Sequence, residues 1–242
     1  MIEILDLSKK YRHTQVLHQI NLRFQPGMVA GLIGPNGTGK TTLIKCILGL
    51  THFQEGNILV DGKSISKQSE YRNLIGYMPQ TGNYPELMKV KDLLSMLKEI
   101  RGNNTAIDDE LIGSFKLENS LNKYLGQLSG GTIQKVSAVV AFMFDPPILI
   151  LDEPTAGLDP LAAEILKEKI SKVSKDKLVI ITSHVLNDLD ELASHILFLQ
   201  DGKIAFYEEI KALKNKYKEH KLGKVITRMM GDTDQIKTQS SN

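Results

Sequence analysis

The feature that most constrains how this chain can fold is a glycine-rich segment, Gly34–Thr41, which matches the spacing G-x-x-x-x-G-K-[ST]. An apolar, strand-like run from Val29 to Ile33 precedes it, and a helix-like run from Thr42 to Leu48 follows it. A loop of this composition between a strand and a helix forms a cradle for phosphate groups. The segment therefore predicts a sheet with a strand that leads into a phosphate-binding loop.

The residues of this loop have predicted roles. Glycines allow backbone N–H groups to surround phosphate oxygens without side-chain clashes, and the following helix directs its positive end at the same anion. Lys40 is predicted to reach the β- and γ-phosphates, and the Thr41 hydroxyl is predicted to hold Mg²⁺. The predicted phosphate-binding residues are Gly34, Pro35, Asn36, Gly37, Thr38, Gly39, Lys40, Thr41 and Thr42.

A pair of carboxylates at the end of an apolar run is the second chemical feature. Asp152 and Glu153 directly follow Ile148–Leu151. A buried strand would deliver both acids to the carboxyl edge of the sheet, where phosphate loops also lie. Because successive side chains of a strand point to opposite sides, the two acids are expected to differ in role. Asp152 is the candidate for organising Mg²⁺, and Glu153 is the candidate for polarising an attacking water.

Strand and turn patterns mark both ends of the chain. Residues 1–7 and 16–24 alternate loosely between apolar and polar side chains, as strands do. The Asp-Gly pairs at 61–62 and 201–202 each lie between apolar runs, which predicts two hairpins.

The middle of the chain predicts helices followed by buried strands. Apolar residues between 84 and 144 recur at helical spacing and predict a helical lobe, with one helix from about Thr132 to Phe144. The apolar runs Ile148–Leu151 and Leu178–Ile181 flank a predicted helix from Pro160 to about Val173. Strand, helix and apolar strand in this order indicate a buried parallel sheet.

Other polar residues lie where helices begin or strands end. Ser129, which precedes Gly130 and Gly131, and Asp159, which precedes a proline, can each be a plain N-cap. His184 follows an apolar strand, where a histidine can be structural or can contact a γ-phosphate. These residues taken singly leave both interpretations open.

Composition limits the function classes. The 242 residues carry a formal net charge of +2, which does not favour a nucleic-acid partner. A single cysteine, Cys46, excludes an intrachain disulfide and fits a reducing cytoplasm. The N-terminus lacks the pattern of a secretion signal, and the apolar run Val136–Phe144 is too short to cross a bilayer. We therefore expect a cytoplasmic protein and, if it serves transport, a separate chain that forms the channel.

Taken together, these motifs resemble those of the ABC (ATP-binding cassette) ATPase family over residues 1–210. The matching positions are Tyr11 as the aromatic residue that stacks on adenine, Gly34–Thr42 as Walker A, Gln80 as the Q-loop glutamine, Leu128–Thr132 as the signature, Ile148–Asp152 as Walker B, Glu153 as the catalytic base, Ala156–Asp159 as the D-loop and His184 as the switch histidine. The resemblance implies an α/β P-loop NTPase core with a mostly parallel sheet, an N-terminal antiparallel β subdomain and a helical subdomain at about 81–144. Residues 211–242 would form a basic C-terminal extension.

The same resemblance implies ATP and Mg²⁺ as cofactors, and it implies the partners. Glu153, His184 and Gln80 would serve catalysis, and Thr41, Gln80 and Asp152 would hold the metal. The ATP site of a second subunit would be completed by Ser129, Gly130, Gly131 and Asp159. Two copies would then bury two ATP molecules head to tail and drive an integral membrane permease from the inner face of the cell membrane. The signature departs from the family at Thr132, where glutamine is commoner, and at Lys135, where arginine is frequent.

Residues 128–136 and 183–192 are similar to those of the NosF group, ATPases associated with maturation of the copper enzyme nitrous oxide reductase. The alternatives are an exporter ATPase for another cargo, a soluble ABC protein that acts on ribosomes or DNA, and a P-loop nucleotide kinase. The signature and the acid pair oppose the kinase, and the sequence shows neither tandem cassettes nor long coiled-coil insertions. The lysine-rich stretch from Lys211 is interpreted as a solvated helix face or as a patch that faces a membrane.

Overall fold

The computed structural model describes residues 1–66, 68–102 and 107–229. Its strands are β1 (Ile2–Tyr11), β2 (Thr14–Phe24), β3 (Val29–Ile33), β4 (Glu55–Val60), β5 (Lys63–Ser64), β6 (Ile75–Met78), β7 (Ile148–Asp152), β8 (Leu178–Thr182), β9 (His195–Gln200) and β10 (Lys203–Glu209). Its α-helices are α1 (Lys40–Ile47), α2 (Val90–Arg101), α3 (Glu110–Ser114), α4 (Gly130–Phe142), α5 (Pro160–Val173), α6 (Leu186–Leu192) and α7 (Ile210–Tyr217). Residues 222–229 are also helical, and 3₁₀ turns lie at Glu70–Leu74, Leu117–Ser120 and Leu125–Gln127.

The strands form two sheets of different character. A four-stranded antiparallel sheet has the order β2-β1-β4-β5, and a six-stranded sheet has the order β10-β9-β3-β8-β7-β6. In the second sheet β6, β7, β8, β3 and β9 run parallel, and only β10 pairs antiparallel. Every residue of β3, β7 and β8 is buried, as their uninterrupted apolar sequences predict. Because β3, β8 and β7 are neighbours and parallel, their carboxyl ends meet at one edge.

Alternation along the central strands divides the core into two layers. Ile148 and Ile150 of β7 pack with α1 and the antiparallel sheet. Leu149 and Leu151 pack on the opposite face, with residues of α4, α5 and α6. Successive side chains of one strand thus supply both cores, which fixes the layer order as antiparallel sheet and α1, six-stranded sheet, and helices.

Both predicted hairpins are present, with the turn geometry that their sequences require. Asp61 and Gly62 have φ angles of 49° and 75°, and Asp201 and Gly202 have φ angles of 48° and 70°. Positive φ at both central residues is typical of the type I′ turn, whose twist matches that of paired strands.

The helix predicted to begin at about Thr132 instead begins at Gly130 and ends at Phe142. The shift has a local cause, because the Ser129 hydroxyl accepts a hydrogen bond from the backbone N–H of Thr132 at 3.3 Å and so caps the helix one residue before Gly130. The capping interpretation of Ser129 is therefore correct for the folded monomer.

A buried lysine joins the helical lobe to the parallel core. The Lys169 side chain on α5 is 4% exposed and pairs with Asp108 and Glu110. Glu110 also accepts from Lys172 at 2.9 Å, and the hydrogen bonds from Lys169 and Lys172 lower its pKa to about 2. These ion pairs tie α3 to α5 by electrostatic contacts.

The residues that follow β10 pack on the helical face of the sheet. Ile210, Leu222 and Ile226 are buried in the same core as Ile196 and Phe198 of β9. Asp190 on α6 pairs with Lys214 and accepts from the backbone N–H of Leu222 at 3.0 Å. The exposed lysines of this region are Lys211, Lys216, Lys218, Lys221 and Lys224. This exposure agrees with a solvated face, and the division between residues 1–210 and 211–242 stays a prediction.

No helix among the residues that the structure describes is long and apolar enough to cross a membrane.

Gly76 on β6 allows α4 to approach the sheet closely. A Cβ atom there would lie 2.0 Å from the carbonyl oxygen of Ala141 and 2.7 Å from Cγ of Pro146. We expect Gly76→Ala to lower the free energy of unfolding by about 1–3 kcal/mol, the usual cost of overpacking. Gly223→Ala is the matched control, because the nearest atom to its Cβ would be 3.7 Å away and alanine favours helices. Urea unfolding that shows equal stability for both variants would contradict this packing.

Candidate nucleotide-binding and hydrolysis site

A cavity of about 570 Å³ lies at the edge where β3, β7 and β8 end. Its walls come from the glycine-rich loop, the start of α1, the segment after β6 and the segments after β7 and β8. The lining residues are Val16, Asn36, Gly37, Gly39, Lys40, Thr41, Thr42, Gln80, Asp152, Glu153, Thr182 and His184. The fold therefore brings the loop, both acids, the glutamine and the histidine into one cavity.

Two glycines of the loop are required by backbone geometry and close packing. Gly34 has a φ of 148°, and a Cβ there would lie 2.1 Å from the carbonyl oxygen of Leu199. Gly39 has a φ of 105°, and a Cβ there would lie 2.7 Å from Cδ2 of Leu17. A larger residue at either position would displace the loop from β9 or β2, so the loop shape depends on these glycines.

Lys40 lies at the first position of α1, and its ammonium turns back over the loop. Nζ donates hydrogen bonds to the carbonyl oxygens of Gly34 at 2.7 Å and Pro35 at 3.0 Å. Burial lowers the pKa of Lys40, while the negative charges of Glu153 and Asp152 act in the opposite direction. The cation is thus placed beside the cradle, opposite the two acids, where phosphate oxygens would be attracted.

Asp152 is held by a hydroxyl from the neighbouring strand. It is 7% exposed and stands opposite Thr182 in the parallel register of β7 and β8. The Thr182 hydroxyl donates to Oδ1 of Asp152 at 2.5 Å and accepts from the backbone N–H of Glu153 at 3.0 Å. One hydroxyl therefore positions the predicted metal ligand and the backbone of the predicted base.

The donors near Asp152 fit Mg²⁺, which prefers oxygen ligands such as carboxylates and hydroxyls. Thr41 and Gln80 line the same cavity as Asp152 and supply a hydroxyl and an amide oxygen. Oδ1 of Asp152 is engaged by Thr182, while Oδ2 has no side-chain partner among the described residues. These residues could therefore hold the ion.

Glu153 and His184 contact each other across the cavity. Oε1 of Glu153 lies 3.4 Å from Nε2 of His184, and the backbone N–H of His184 donates to Oε2 at 3.2 Å. Glu153 has a φ of 52°, a left-handed conformation that non-glycine residues seldom adopt and that is often found at functional sites. The turn after β7 thus directs this carboxylate to the side of the sheet from which His184 approaches.

Other predicted site residues do not line this cavity. Gly34, Pro35 and Thr38 belong to the loop but do not line the cavity, and Tyr11 lies at the end of β1. The signature and the D-loop form a second polar surface, in which a Cβ on Gly131 would lie only 2.8 Å from the carbonyl oxygen of Gly157.

An ion pair and a cap organise that second surface. Oδ2 of Asp159 pairs with Nζ of Lys135 at 2.7 Å, and Oδ1 accepts from the backbone N–H of Ala162 at 2.9 Å. The hydrogen bond from Lys135, followed by that from Ala162, lowers the pKa of Asp159. Neither Asp159 nor Ser129–Gly131 lines the cavity of its own chain, so one monomer does not bring these residues together with Lys40, Asp152 and Glu153.

Sequence reasoning missed Val16 and Thr182 as lining residues. Thr182 could have been predicted from the sequence, because it is a hydroxyl residue at the end of an apolar strand, two residues before His184. Such a residue lies at the same sheet edge as Asp152. Nothing in the sequence predicted Val16 as a lining residue, because its place in the cavity wall depends on how β2 packs against Gly39.

Comparison with known proteins identifies the class. A family model described as "ABC transporter" matches residues 17–156. A Nod factor export ATP-binding protein I of Rhizobium etli is 33% identical over 208 residues, which cover 84% of this chain and 66% of that protein. The ABC transporter ATP-binding protein YtrB of Bacillus subtilis is 31% identical over 220 residues, covering 90% of this chain and 75% of the relative. The chain spans about two thirds of the length of the Nod factor relatives.

Solved structures agree on the fold. The structure of an ATP-binding subunit of an ABC transporter superposes with a TM-score of 0.87 at 28% identity and covers 95% of this chain and 99% of that one. A dimeric ATP-binding cassette bound to ADP and Pi superposes with a TM-score of 0.79 at 24% identity and covers 87% of this chain and 99% of that one. The chain therefore belongs to the ABC transporter family as an ATP-binding-cassette ATPase, and the predicted α/β P-loop fold is confirmed.

The Thr182 hydroxyl provides a test of the site geometry. Thr182→Val keeps the side-chain shape but removes the hydrogen bonds to Asp152 and to the backbone of Glu153. We expect Mg²⁺-dependent ATP turnover to fall about 10- to 100-fold, the usual effect of losing a group that orients a metal ligand. Thr182→Ser retains the hydroxyl and should stay near the parent rate. Parental turnover in the valine variant would show that the hydroxyl does not position the acids.

Proposed function

We propose that this chain is the ATP-hydrolysing subunit of an ABC transporter that closes as a head-to-tail dimer around two Mg-ATP and drives a separate membrane permease. The main observation behind the proposal is that the predicted ATP-binding residues lie on two separate surfaces of the chain. The loop, Asp152, Glu153 and His184 share one cavity, whereas Ser129 and Asp159 lie on another surface of the same chain.

Within the cavity the residues support hydrolysis by distinct roles. The backbone of the loop and Lys40 bind the β- and γ-phosphates, and Thr41, Asp152 and Gln80 would hold Mg²⁺. When bound, Mg²⁺ neutralises phosphate charge and orients the terminal phosphoryl group. Glu153 orients a water and accepts its proton, because this residue lines the cavity and is 8% exposed as a whole.

His184 is a second contact for the terminal phosphate. Its side chain is 56% exposed, while that of Glu153 is 11% exposed, so the imidazole stands on the solvent side of the carboxylate. In that place it can donate a hydrogen bond to a phosphate oxygen and hold Glu153 toward the attacking water.

A second copy of the chain would complete each site. Ser129 caps α4, a helix of 13 residues, and a helix N-terminus is a favourable place for a phosphate group. Each chain has one phosphate loop and one signature, so a two-fold arrangement satisfies both sites at once. Leu161, two residues after Asp159, is 68% exposed, and Val185, next to His184, is 49% exposed; such a partner would cover both.

Communication with a permease would use the junction between the sheet and the helical lobe. Gln80 follows β6 and lines the cavity, and Tyr84 just beyond it donates a hydrogen bond to Ser137 of α4 at 3.1 Å. Leu87, which is 90% exposed, and Ile100, which is 73% exposed, provide apolar contacts on the lobe. Binding there would place the subunit on the inner face of the membrane.

Glu153→Gln and Ser129→Arg test hydrolysis and dimerisation separately. Glu153→Gln should retain ATP binding but lower turnover by ~10²–10⁴, because the general base is lost. Its slow hydrolysis should let ATP-bound dimers accumulate in sedimentation experiments with Mg-ATP. Adding Ser129→Arg should abolish those dimers, because a large side chain would occupy the place of the second subunit's phosphate. Near-parental turnover in Glu153→Gln would remove Glu153 from its role, and persistent dimers in the double variant would contradict the signature contact.

For the cargo we infer the narrower role in maturation of nitrous oxide reductase. It is supported only by the likeness of residues 128–136 and 183–192 to the NosF group, and an exporter ATPase for another cargo is the alternative. Among the described residues, no group of three or more histidine, cysteine or carboxylate side chains could hold a metal ion. The subunit would therefore energise a membrane partner that handles a copper- or sulfur-related species.

A strain that carries Glu153→Gln tests this role. The exported reductase should be present but deficient in copper, while growth on other electron acceptors is unchanged. If the reductase from this strain has its full copper content and normal activity, the role in its maturation is refuted and only the function as an exporter ATPase for another cargo is left. If a membrane permease is recovered with the purified chain, the two transport functions are favoured over a soluble ABC protein and over a nucleotide kinase.

A further inference from the structure

Lys9 is a buried cation on β1 whose partner is an aromatic ring. The residue is 6% exposed, and its Nζ lies 4.4 Å from the centroid of the Tyr11 ring. Over the described ranges 1–66, 68–102 and 107–229, no carboxylate forms an ion pair with Lys9. A cation placed on a ring face is attracted by the negative charge of the π system, and the attraction grows when water is excluded. The contact therefore fixes the ring and the ammonium relative to each other.

Tyr11 lies at the tip of a hairpin whose second strand reaches the wall of the nucleotide cavity. Tyr11 and Thr14 face each other at the tip of the β1–β2 hairpin, and Val16, two residues further on, lines the cavity. The carbonyl oxygen of Val16 would lie 3.0 Å from a Cβ on Gly39, so this hairpin touches the phosphate loop. Tyr11 is 43% exposed although Lys9 lies over its ring, so part of its surface stays open to a ligand.

The Lys9 ammonium is also close to the helix that leaves the loop. Burial raises the pKa of the Cys46 thiol on α1 to about 11, and the charge of Lys9 opposes that rise. Lys9 pairs with Leu17 in the β1–β2 register, and Leu17 packs against Gly39 of the loop that leads into α1. This pairing agrees with a location of Lys9 near α1. The Lys9 ammonium thus reaches from the hairpin toward α1, where it can hold the hairpin tip in a fixed relation to the loop.

We propose that Lys9 is a positioning residue for the nucleotide base: its ammonium supports one face of the Tyr11 ring so that the other face stacks on the adenine of bound ATP. This inference rests on the proposed function, which supplies the nucleotide. The effect has two physical parts. The contact reduces the freedom of an otherwise half-exposed ring, so less conformational entropy is lost when ATP binds. The positive charge also draws π density toward the near face of the ring, so the far face is less electron-rich and repels a stacked π face less.

The base and the phosphates can be tested separately because they contact different residues. We would measure the dissociation constants of Mg-ATP and of inorganic tripolyphosphate for the parent chain, Lys9→Met and Lys9→Arg. Lys9→Met, which keeps the length of the side chain without its charge, should weaken ATP binding about 3- to 10-fold, the range of a partly desolvated cation–π contact. Tripolyphosphate binding should be unchanged, which also shows that the loop is folded, and Lys9→Arg should bind ATP as the parent does.

A double-variant experiment shows whether the ring transmits the effect. In a Tyr11→Leu background, Lys9→Met should cause no further loss of ATP affinity. An equal loss for ATP and tripolyphosphate in Lys9→Met would overturn the inference, because the charge would then act on the phosphates. An undiminished loss in the Tyr11→Leu background would overturn it as well. Parental ATP affinity in Lys9→Met refutes the role of Lys9 but leaves the proposed function intact, whereas a parent chain that binds no ATP refutes both.

Discussion

The parallel pairing of β3, β8 and β7 is the constraint on which the rest of the structure depends. It brings the start of the phosphate loop, Thr182 and Asp152 to one edge. Because these strands are completely buried, their register is fixed by packing on both faces. A slip of one residue would exchange the two core layers and remove Asp152 from Thr182. The catalytic geometry is therefore a consequence of how the core packs.

The two surfaces of the chain have complementary chemistry. The cavity combines Lys40 with Asp152 and Glu153, whereas the second surface presents the N-terminus of α4 beside the Lys135–Asp159 ion pair. Lysine at position 135 maintains an ion pair to the D-loop, and Thr132 contributes to the Ser129 cap through a hydroxyl contact of 2.9 Å. The departures from the commoner family residues thus retain a structural role in this chain.

Helix α6, which begins just after His184, is connected to several parts of the molecule. Asp188 accepts from the Thr155 hydroxyl at 2.7 Å, Asp190 binds the C-terminal helical region, and Glu191 pairs with Lys167 at 2.7 Å. The helix that follows His184, the predicted switch histidine, is therefore attached to the turn after Glu153, to α5 and to the region that follows β10. A displacement of His184 that also moved α6 would alter all of these contacts, because residues of this one short helix make them.

The sequence by itself determined the local parts of this protein: the loop composition, the apolar strands that end in acids, the type I′ turns and the cap at Ser129 all depend on residues close in the chain. Only the tertiary structure decided what those parts share. The Thr182 bridge and the contact of Val16 with the loop join residues far apart in sequence. The backbone N–H of Glu153, whose φ is positive, likewise donates a hydrogen bond to Thr182 of the neighbouring strand. The separation of Ser129 and Asp159 from the cavity likewise followed from the fold, since spacing along a chain does not report distance across a packed core.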